Sequence, residues 1–194
     1  MMKMKMSLGA GLLILSFVLA PFEVFAANTN LPSSSMVNIG GENKAVDTDV
    51  ELKLGDSAPD FTLPNLANDK MESLKDYLGK PIVLFFIQSA CYSCLQEAKA
   101  LKALKENYSG IEIIAVGVDL LGKPMLVSWA AHNNINYPVL LDPIFSVPEK
   151  YGFTFTPSSV IIDKKGKVVF IHAGFRMSDT KLFEDKVKEL LSQN

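Results

Sequence analysis

Residues 81–94 read Pro-Ile-Val-Leu-Phe-Phe-Ile-Gln-Ser-Ala-Cys-Tyr-Ser-Cys, and this stretch decides the fold. The uninterrupted apolar run over 81–88 has the length and composition of a strand that is buried on both faces of a sheet. Apolar residues then recur at helical spacing from Leu95 to Tyr108. Cys91 and Cys94 therefore fall where the buried strand ends and the helix begins.

The same alternation continues along the chain. The pattern predicts a strand at 111–118, a helix at 123–133, a strand at 138–141, a short helix at 146–151, strands at 158–162 and 168–172, and an amphipathic helix capped by Ser178 and ending near Leu191. Gly166 closes a turn between the last two strands, where a positive φ is wanted. This order predicts an α/β fold with a central mixed sheet and helices on both faces.

Composition excludes several classes of protein. The chain has 194 residues, of which 48% are hydrophobic and 21% charged, with a formal net charge of −2 and two cysteines. A chain this apolar is not a disordered one. Two cysteines can build neither a disulfide-rich scaffold nor a four-cysteine metal site. With a slight excess of acidic residues and Arg176 as its single arginine, the chain is not expected to bind nucleic acid.

The first 26 residues have the layout of a secretory signal peptide. Lys3 and Lys5 precede an uncharged stretch over 8–20, and small residues end the segment at Ala26. A transmembrane anchor is the alternative, but a spanning helix needs about 20 apolar residues. We expect cleavage after Ala26, export to the periplasm, and no membrane span in the mature chain.

Residues 27–50 are rich in Ser, Asn and Gly and have no apolar period, so we expect a flexible N-terminal segment. The predicted folded domain covers residues 51–194.

The position of the two cysteines indicates redox chemistry. The N-terminus of a helix carries a partial positive charge and unpaired N–H groups, which favour a thiolate. The thiolate is the species that attacks in thiol–disulfide exchange. We expect Cys91 to be the exposed nucleophile and Cys94, one turn later and within disulfide reach, to be the resolving thiol.

Other roles for the pair are less consistent with the sequence. A structural disulfide would close a very small loop and stabilise little. A zinc site would need two more ligands, and His132 and His172 are forty residues apart. Two unreactive buried thiols are unexpected in an oxidising compartment. We therefore expect no metal, and no cofactor beyond the Cys91–Cys94 disulfide itself.

Several segments together resemble the AhpC/TSA and TlpA branch of the thioredoxin superfamily, and the TlpA/ResA-like exported thiol–disulfide oxidoreductases in particular. The shared segments are Gly-Asp-Ser-Ala-Pro-Asp-Phe-Thr-Leu at 55–63, Leu-Lys-Asp-Tyr-Leu-Gly-Lys-Pro at 74–81, the cysteine motif, and Phe-Thr-Pro-Ser at 155–158. The resemblance implies a thioredoxin-like fold in which Pro157 is a cis-proline facing Cys91. It also implies that the loop at Thr156 and Pro157 pairs with a substrate peptide, a form of strand addition.

The chain departs from that family at three positions. Ala90 and Ser93 replace the tryptophan and proline that many relatives have beside the cysteines, and Phe85 replaces the buried acid of thioredoxins. A proton acceptor for Cys94 must therefore come from elsewhere. Glu97 is the candidate, because it shares a helix face with Cys94 and TlpA/ResA-like relatives have a glutamate there. An exposed helix glutamate is the alternative.

The sequence thus predicts an exported thiol–disulfide oxidoreductase with Cys91, Cys94 and Glu97 as catalytic residues. Substrate contacts are expected from the loop described above and from Tyr92 and Ser93, which place no charge between the cysteines and so disfavour a strong oxidant. The resemblance implies a reductant of partner proteins, supplied by a membrane thiol carrier and active in cytochrome c maturation. We expect a monomer.

Two other functions remain open. A peroxiredoxin, with antioxidant activity, needs a threonine three residues before its cysteine and an arginine nearby. Position 88 is Gln, and Arg176 follows the last strand. A Sco-like copper chaperone would use Cys91, Cys94 and His172, although such proteins usually have three residues between the cysteines.

Overall fold

A computed structural model of the chain describes residues 52–193. The predicted signal peptide and N-terminal segment lie outside these residues. Across 52–193 no helix combines the length and the apolar character that a membrane span requires.

The five-stranded sheet forms the centre of the fold. Its strands run in the order β5 (Val139–Leu141), β4 (Glu112–Gly117), β3 (Ile82–Ile87), β6 (Ser158–Ile162) and β7 (Val168–Ala173). β3, β4 and β5 are parallel, whereas β6 and β7 are antiparallel to their neighbours. The mixed sheet predicted from the sequence is therefore confirmed. β3 is the middle strand, and all six of its side chains are buried.

Four α-helices connect or cover the strands: α1 (Tyr92–Asn107), α2 (Lys123–His132), α3 (Ser146–Lys150) and α4 (Thr180–Ser192). Buried side chains of α1, α2 and α4 pack on one face of the sheet, and those of α3 pack on the other. Helices thus lie on both faces, as predicted. The turn at Gly166, with φ +83°, joins β6 to β7.

The prediction that Ser178 caps the last helix is wrong. A short 3₁₀ helix at Met177–Asp179 precedes α4, which begins at Thr180. The Ser178 hydroxyl donates to Asp179 Oδ1 at 3.2 Å and does not cap the helix. The carboxylate of Asp179 accepts the Arg176 N–H at 2.8 Å, and this bond closes the 3₁₀ turn.

Three further short elements were not predicted. Strands β1 (Thr62–Pro64) and β2 (Met71–Ser73) form an antiparallel pair, and a 3₁₀ helix follows at Leu74–Tyr77. A three-residue strand is too short to show a period in the sequence. Leu74 from this helix and Phe61 are buried on the α3 face, so the segment covers that side of the sheet.

Candidate active site

Cys91 is the N-cap residue of α1 and forms a disulfide with Cys94 in the first turn. The two Cα atoms are 5.2 Å apart, and the N–H of Cys94 donates to Cys91 Sγ at 3.1 Å. Cys94 is fully buried, whereas Cys91 is partly exposed. The helix begins at Tyr92, three residues before the first residue of the apolar period in the sequence, so Cys91 caps the end of the helix where N–H groups lack helical partners.

The loop before β6 faces the disulfide. The Thr156–Pro157 peptide bond is cis, as the family resemblance implied. Cys91 Sγ lies 4.0 Å from the carbonyl oxygen of Thr156. The Thr156 hydroxyl also donates to Gln88 Oε1 at 3.3 Å, so the loop is tied to the residue after β3. The structure thus brings together the cysteines and the loop that were predicted to meet.

The two residues between the cysteines differ in exposure. The side chain of Tyr92 is 74% exposed beside the disulfide. Ser93 is partly buried, and its hydroxyl lies 3.5 Å from Cys91 Sγ, where it can stabilise the thiolate that forms on reduction. An open groove of about 510 Å³ begins at Ser93 and runs along the cis-proline loop to Arg176.

A carboxylate that was not foreseen holds the chain ahead of Cys91. Asp119 follows β4 and accepts hydrogen bonds from both the N–H, at 2.9 Å, and the hydroxyl of Ser89. Burial alone would raise the pKa of Asp119, but these bonds and the Leu121 N–H lower it below its usual range. The carboxyl ends of the neighbouring parallel strands β3 and β4 meet at this edge, which is the signal that could have identified Asp119.

Glu97 is completely buried, so the alternative of a solvent-exposed helix glutamate is wrong. It lies one turn after Cys94 on the same side of α1. Its Oε1 accepts a hydrogen bond from the hydroxyl of Ser159 on β6, and its Oε2 has no hydrogen-bond partner among residues 52–193. Burial raises the pKa of Glu97 to about 8, the Ser159 bond partly opposes that rise, and the charge of Asp179 adds to it.

Ser159 is the second residue that the sequence reasoning missed. It stands two positions after Pro157, and strand alternation places its side chain on the face of the sheet that α1 covers. A buried hydroxyl on that face needs a partner, and Glu97 is the partner it has. Phe85, at the position of the thioredoxin acid, is fully buried against Tyr137, with ring centroids 5.8 Å apart.

His172, the third ligand of the copper alternative, lies on β7 and is already bound within the protein. Its Nε2 is 3.2 Å from Asp179 Oδ2, and its ring packs against those of Phe170 and Phe183. Over residues 52–193 no three His, Cys, Asp or Glu side chains are grouped so that they could hold a metal ion. Arg176, considered for a peroxidase, lines the groove beside the cis-proline loop.

Two features of this mixed sheet define the class of the protein: a Cys-x-x-Cys disulfide at the start of a helix, and a cis-proline opposite it. The protein is a thiol–disulfide oxidoreductase of the thioredoxin-like fold. The model of the AhpC/TSA family matches residues 54–171, and the chain belongs to that family.

Named relatives agree with the class. The chain is 30% identical over 129 residues to the thioredoxin-like protein YneN of Bacillus subtilis (strain 168), covering 65% of this chain and 75% of that protein. It is 34% identical over 127 residues to the thiol–disulfide oxidoreductase ResA of Geobacillus thermodenitrificans (strain NG80-2), covering 63% and 71%. A crystal structure assigned as the thiol:disulfide interchange protein DsbE of Chlorobium tepidum superposes with a TM-score of 0.69 at 31% identity, covering 73% of this chain and 99% of that one.

Proposed function

We propose that this protein is an exported reductant of disulfides in partner proteins. One observation carries the proposal: a partly exposed Cys91 is paired with a fully buried Cys94 beside the cis-proline loop. Only Cys91 can be reached by a second protein, so the mixed disulfide forms there. Cys94 then completes the exchange from inside. The relatives named as a thiol–disulfide oxidoreductase and a thiol:disulfide interchange protein support exchange at this pair of cysteines.

The exchange follows two displacements at sulfur. In the reduced protein the Cys91 thiolate attacks a partner disulfide, and the partner's second sulfur leaves as a thiolate that takes up a proton. Cys94 then gives its proton to Glu97, and its thiolate attacks Cys91 Sγ. The partner's remaining sulfur leaves, the Cys91–Cys94 disulfide forms, and two electrons have passed to the partner.

Glu97 suits the second displacement because its proton affinity is close to that of a thiol. A carboxyl with its ordinary pKa would be too weak a base to take a proton from a cysteine, whose pKa is about 8.5. The buried Glu97 has a pKa of about 8, so its carboxylate, once ionised, is a much stronger base towards Cys94 than an ordinary carboxylate. The unpartnered Oε2 is the oxygen available to receive it.

Trapping the mixed disulfide tests the exchange itself. The reduced Cys94→Ser chain, mixed with a disulfide-containing protein such as insulin, is expected to accumulate a covalent complex through Cys91. The Cys91→Ser chain is the matched control and is expected to form none. Non-reducing electrophoresis and mass spectrometry measure both. Complex formation by neither variant, or only by the Cys91→Ser chain, would overturn the assignment of roles.

The place of the reaction is the second half of the proposal. The predicted signal peptide supports export to the periplasm, where a monomer would receive electrons from a membrane thiol carrier and serve cytochrome c maturation. Two results test this: the mature chain purified from a periplasmic fraction should begin at Ala27, and cells without the protein should accumulate unmatured c-type cytochromes. Normal cytochrome levels would contradict the assigned role.

A further inference from the structure

A second pair of polar side chains extends from Glu97 towards the groove. Ser159 on β6 and His172 on β7 are directly opposite in the antiparallel register, so both side chains stand on the same face of the sheet. Ser159 donates to Glu97 on one side. His172 contacts Asp179 on the other side, at 3.2 Å. The register thus places these two polar pairs side by side on the face of the sheet that α1 covers.

The second of these pairs, His172 and Asp179, lies where a partner would bind. The groove of about 510 Å³ is lined by Ser93, Pro157, His172, Arg176 and Asp179, among others. His172 and Asp179 are 20% and 18% exposed, so solvent reaches them but not Glu97.

The negative charge of Asp179 is fixed in position. Burial alone would raise its pKa, but the Arg176 N–H and His172 outweigh that effect and lower it. Because a carboxylate only accepts hydrogen bonds, the ring nitrogen Nε2 of His172 carries the hydrogen between them. The rings of Phe170 and Phe183, with centroids 5.8 and 5.5 Å from that of His172, hold the imidazole in this orientation.

We propose that His172 and Asp179 are a positioning pair that controls the charge of Glu97, and through it the pH at which Cys94 becomes a nucleophile. The inference rests on the proposed role of Glu97. The anion of Asp179 opposes a negative charge on Glu97, and Glu97 must be ionised before it can take the proton of Cys94. His172 donates to Asp179 and holds that anion in place.

The groups around Glu97 come from several elements within residues 52–193. α1 contributes Cys94, β6 contributes Ser159, and β7 contributes His172. The segment before β5 contributes Tyr137, whose pKa is raised mainly by burial and partly by the charge of Glu97. Asp179 is the anion whose charge acts on the pKa of Glu97. A single substitution of Asp179 should therefore change the pH at which Glu97 ionises and Cys94 can react.

The reaction of the reduced protein with the disulfide reagent dithiobis(nitrobenzoate) separates attack by Cys91 from attack by Cys94. Release of the first thionitrobenzoate reports attack by Cys91, and release of the second reports attack by Cys94 on the Cys91 mixed disulfide. In Asp179→Asn the pH profile of the second release should move about one unit to lower pH, so that it becomes up to about tenfold faster at pH 7. The first release should stay within about twofold of wild type.

The second variant tests the other half of the pair. His172→Phe keeps a ring beside Phe170 and Phe183 but cannot donate to Asp179, whereas His172→Gln keeps a donor. In His172→Phe the carboxylate of Asp179 is no longer held in place, so the pH profile of the second release should move part of the way towards that of Asp179→Asn, and His172→Gln should stay within about twofold of wild type. Asp185→Asn, on the exposed side of α4, and His132→Gln are the matched controls and should follow wild type.

Combining the substitutions with Glu97→Gln shows whether the effect passes through Glu97. In the Glu97→Gln background, Asp179→Asn should no longer shift the profile. A shift that persists in that background, or wild-type profiles for both Asp179→Asn and His172→Phe, would overturn the proposal. A Glu97→Gln chain whose second release matches wild type would overturn it together with the role of Glu97. The trapping experiment would still decide whether the exchange occurs.

Discussion

One face of the central sheet is covered by α1, α2 and α4, and the other by α3 and the segment before β3. The first face buries Cys94, Glu97 and Ser159 among its apolar residues. On the second face β3 and β6 present mainly aliphatic and aromatic side chains. The same strands supply both faces, since alternate residues point to opposite sides.

Two adjacent serines show the difference most clearly. Ser158 and Ser159 on β6 are both completely buried, and they point to opposite faces. The hydroxyl of Ser158 donates to the carbonyl oxygen of Phe155 at 2.8 Å, a local bond within the chain. The hydroxyl of Ser159 donates to Glu97, a group that can change charge. The α3 face therefore stabilises the sheet, whereas the α1 face also buries a titratable carboxyl beside the disulfide.

The largest expected effect is on the α3 face. Phe86→Ala removes a fully buried ring that packs against Tyr151 and Phe153, with centroids 5.6 Å away in each case. We expect the free energy of unfolding to fall by about 3–5 kcal/mol. Urea unfolding measures it, and the Cys94 attack rate should change less than twofold. The matched variant Phe85→Ala, on the α1 face, should lose similar stability and also alter that rate.

The next effect concerns Glu97 and depends on pH. In the unfolded chain this carboxyl loses its proton near 4.5, and in the folded protein near 8. Between these values the folded state binds the proton more tightly, so the wild-type free energy of unfolding falls as pH rises. The Glu97→Gln variant has no carboxyl at this position, so its free energy of unfolding does not fall for this reason as pH rises. We expect no difference at pH 4.5 and a variant more stable by about 2–4 kcal/mol at pH 8.5.

Urea unfolding of the oxidised proteins at the two pH values checks this result. Glu106→Gln, an exposed position on the same helix, is the control and should show no such pH-dependent gain. Equal stability of the Glu97→Gln chain and wild type at pH 8.5 would mean that Glu97 titrates normally, which would remove its suitability as the base.

Ser158→Ala and Ser159→Ala compare the two faces directly. Each loses a buried hydrogen bond, and we expect each to cost about 1–2 kcal/mol. Only Ser159→Ala removes a bond that lowers the pKa of Glu97, so only this variant should move the pH profile of the Cys94 attack to higher pH. Equal profiles for the two variants would contradict the assignment of acid–base chemistry to one face.

The smallest effect concerns copper. His172 is held by Asp179 and two aromatic rings, so we expect His172→Ala to leave Cu(I) affinity of the reduced protein unchanged. Titration against a chromophoric chelator measures the affinity. A loss of tenfold or more in the variant would revive the copper-chaperone alternative and place a metal on the α1 face.

The sequence predicted the elements whose pattern is local. The apolar run at 81–88 and the helical period after Cys94 were sufficient to place the central strand and the cysteines at one end of it. The contacts of Glu97 could not be predicted in the same way. Ser159 is 62 residues away from it in the sequence, and only the pairing of β6 with β3 brings the two side chains together. The Ser178 cap was wrong because the carboxylate of Asp179 closes the preceding turn.

The reduction potential of the Cys91–Cys94 couple tests the central claim, which is that the dithiol form of this pair donates electrons to partner disulfides. Tyr92 and Ser93 add no positive charge that would stabilise the Cys91 thiolate strongly, and the reduced form is therefore a good donor. Equilibration with glutathione or dithiothreitol buffers at pH 7 measures the potential. We predict a value near that of thioredoxin, about −270 mV, and a value near that of DsbA, about −120 mV, would contradict the account.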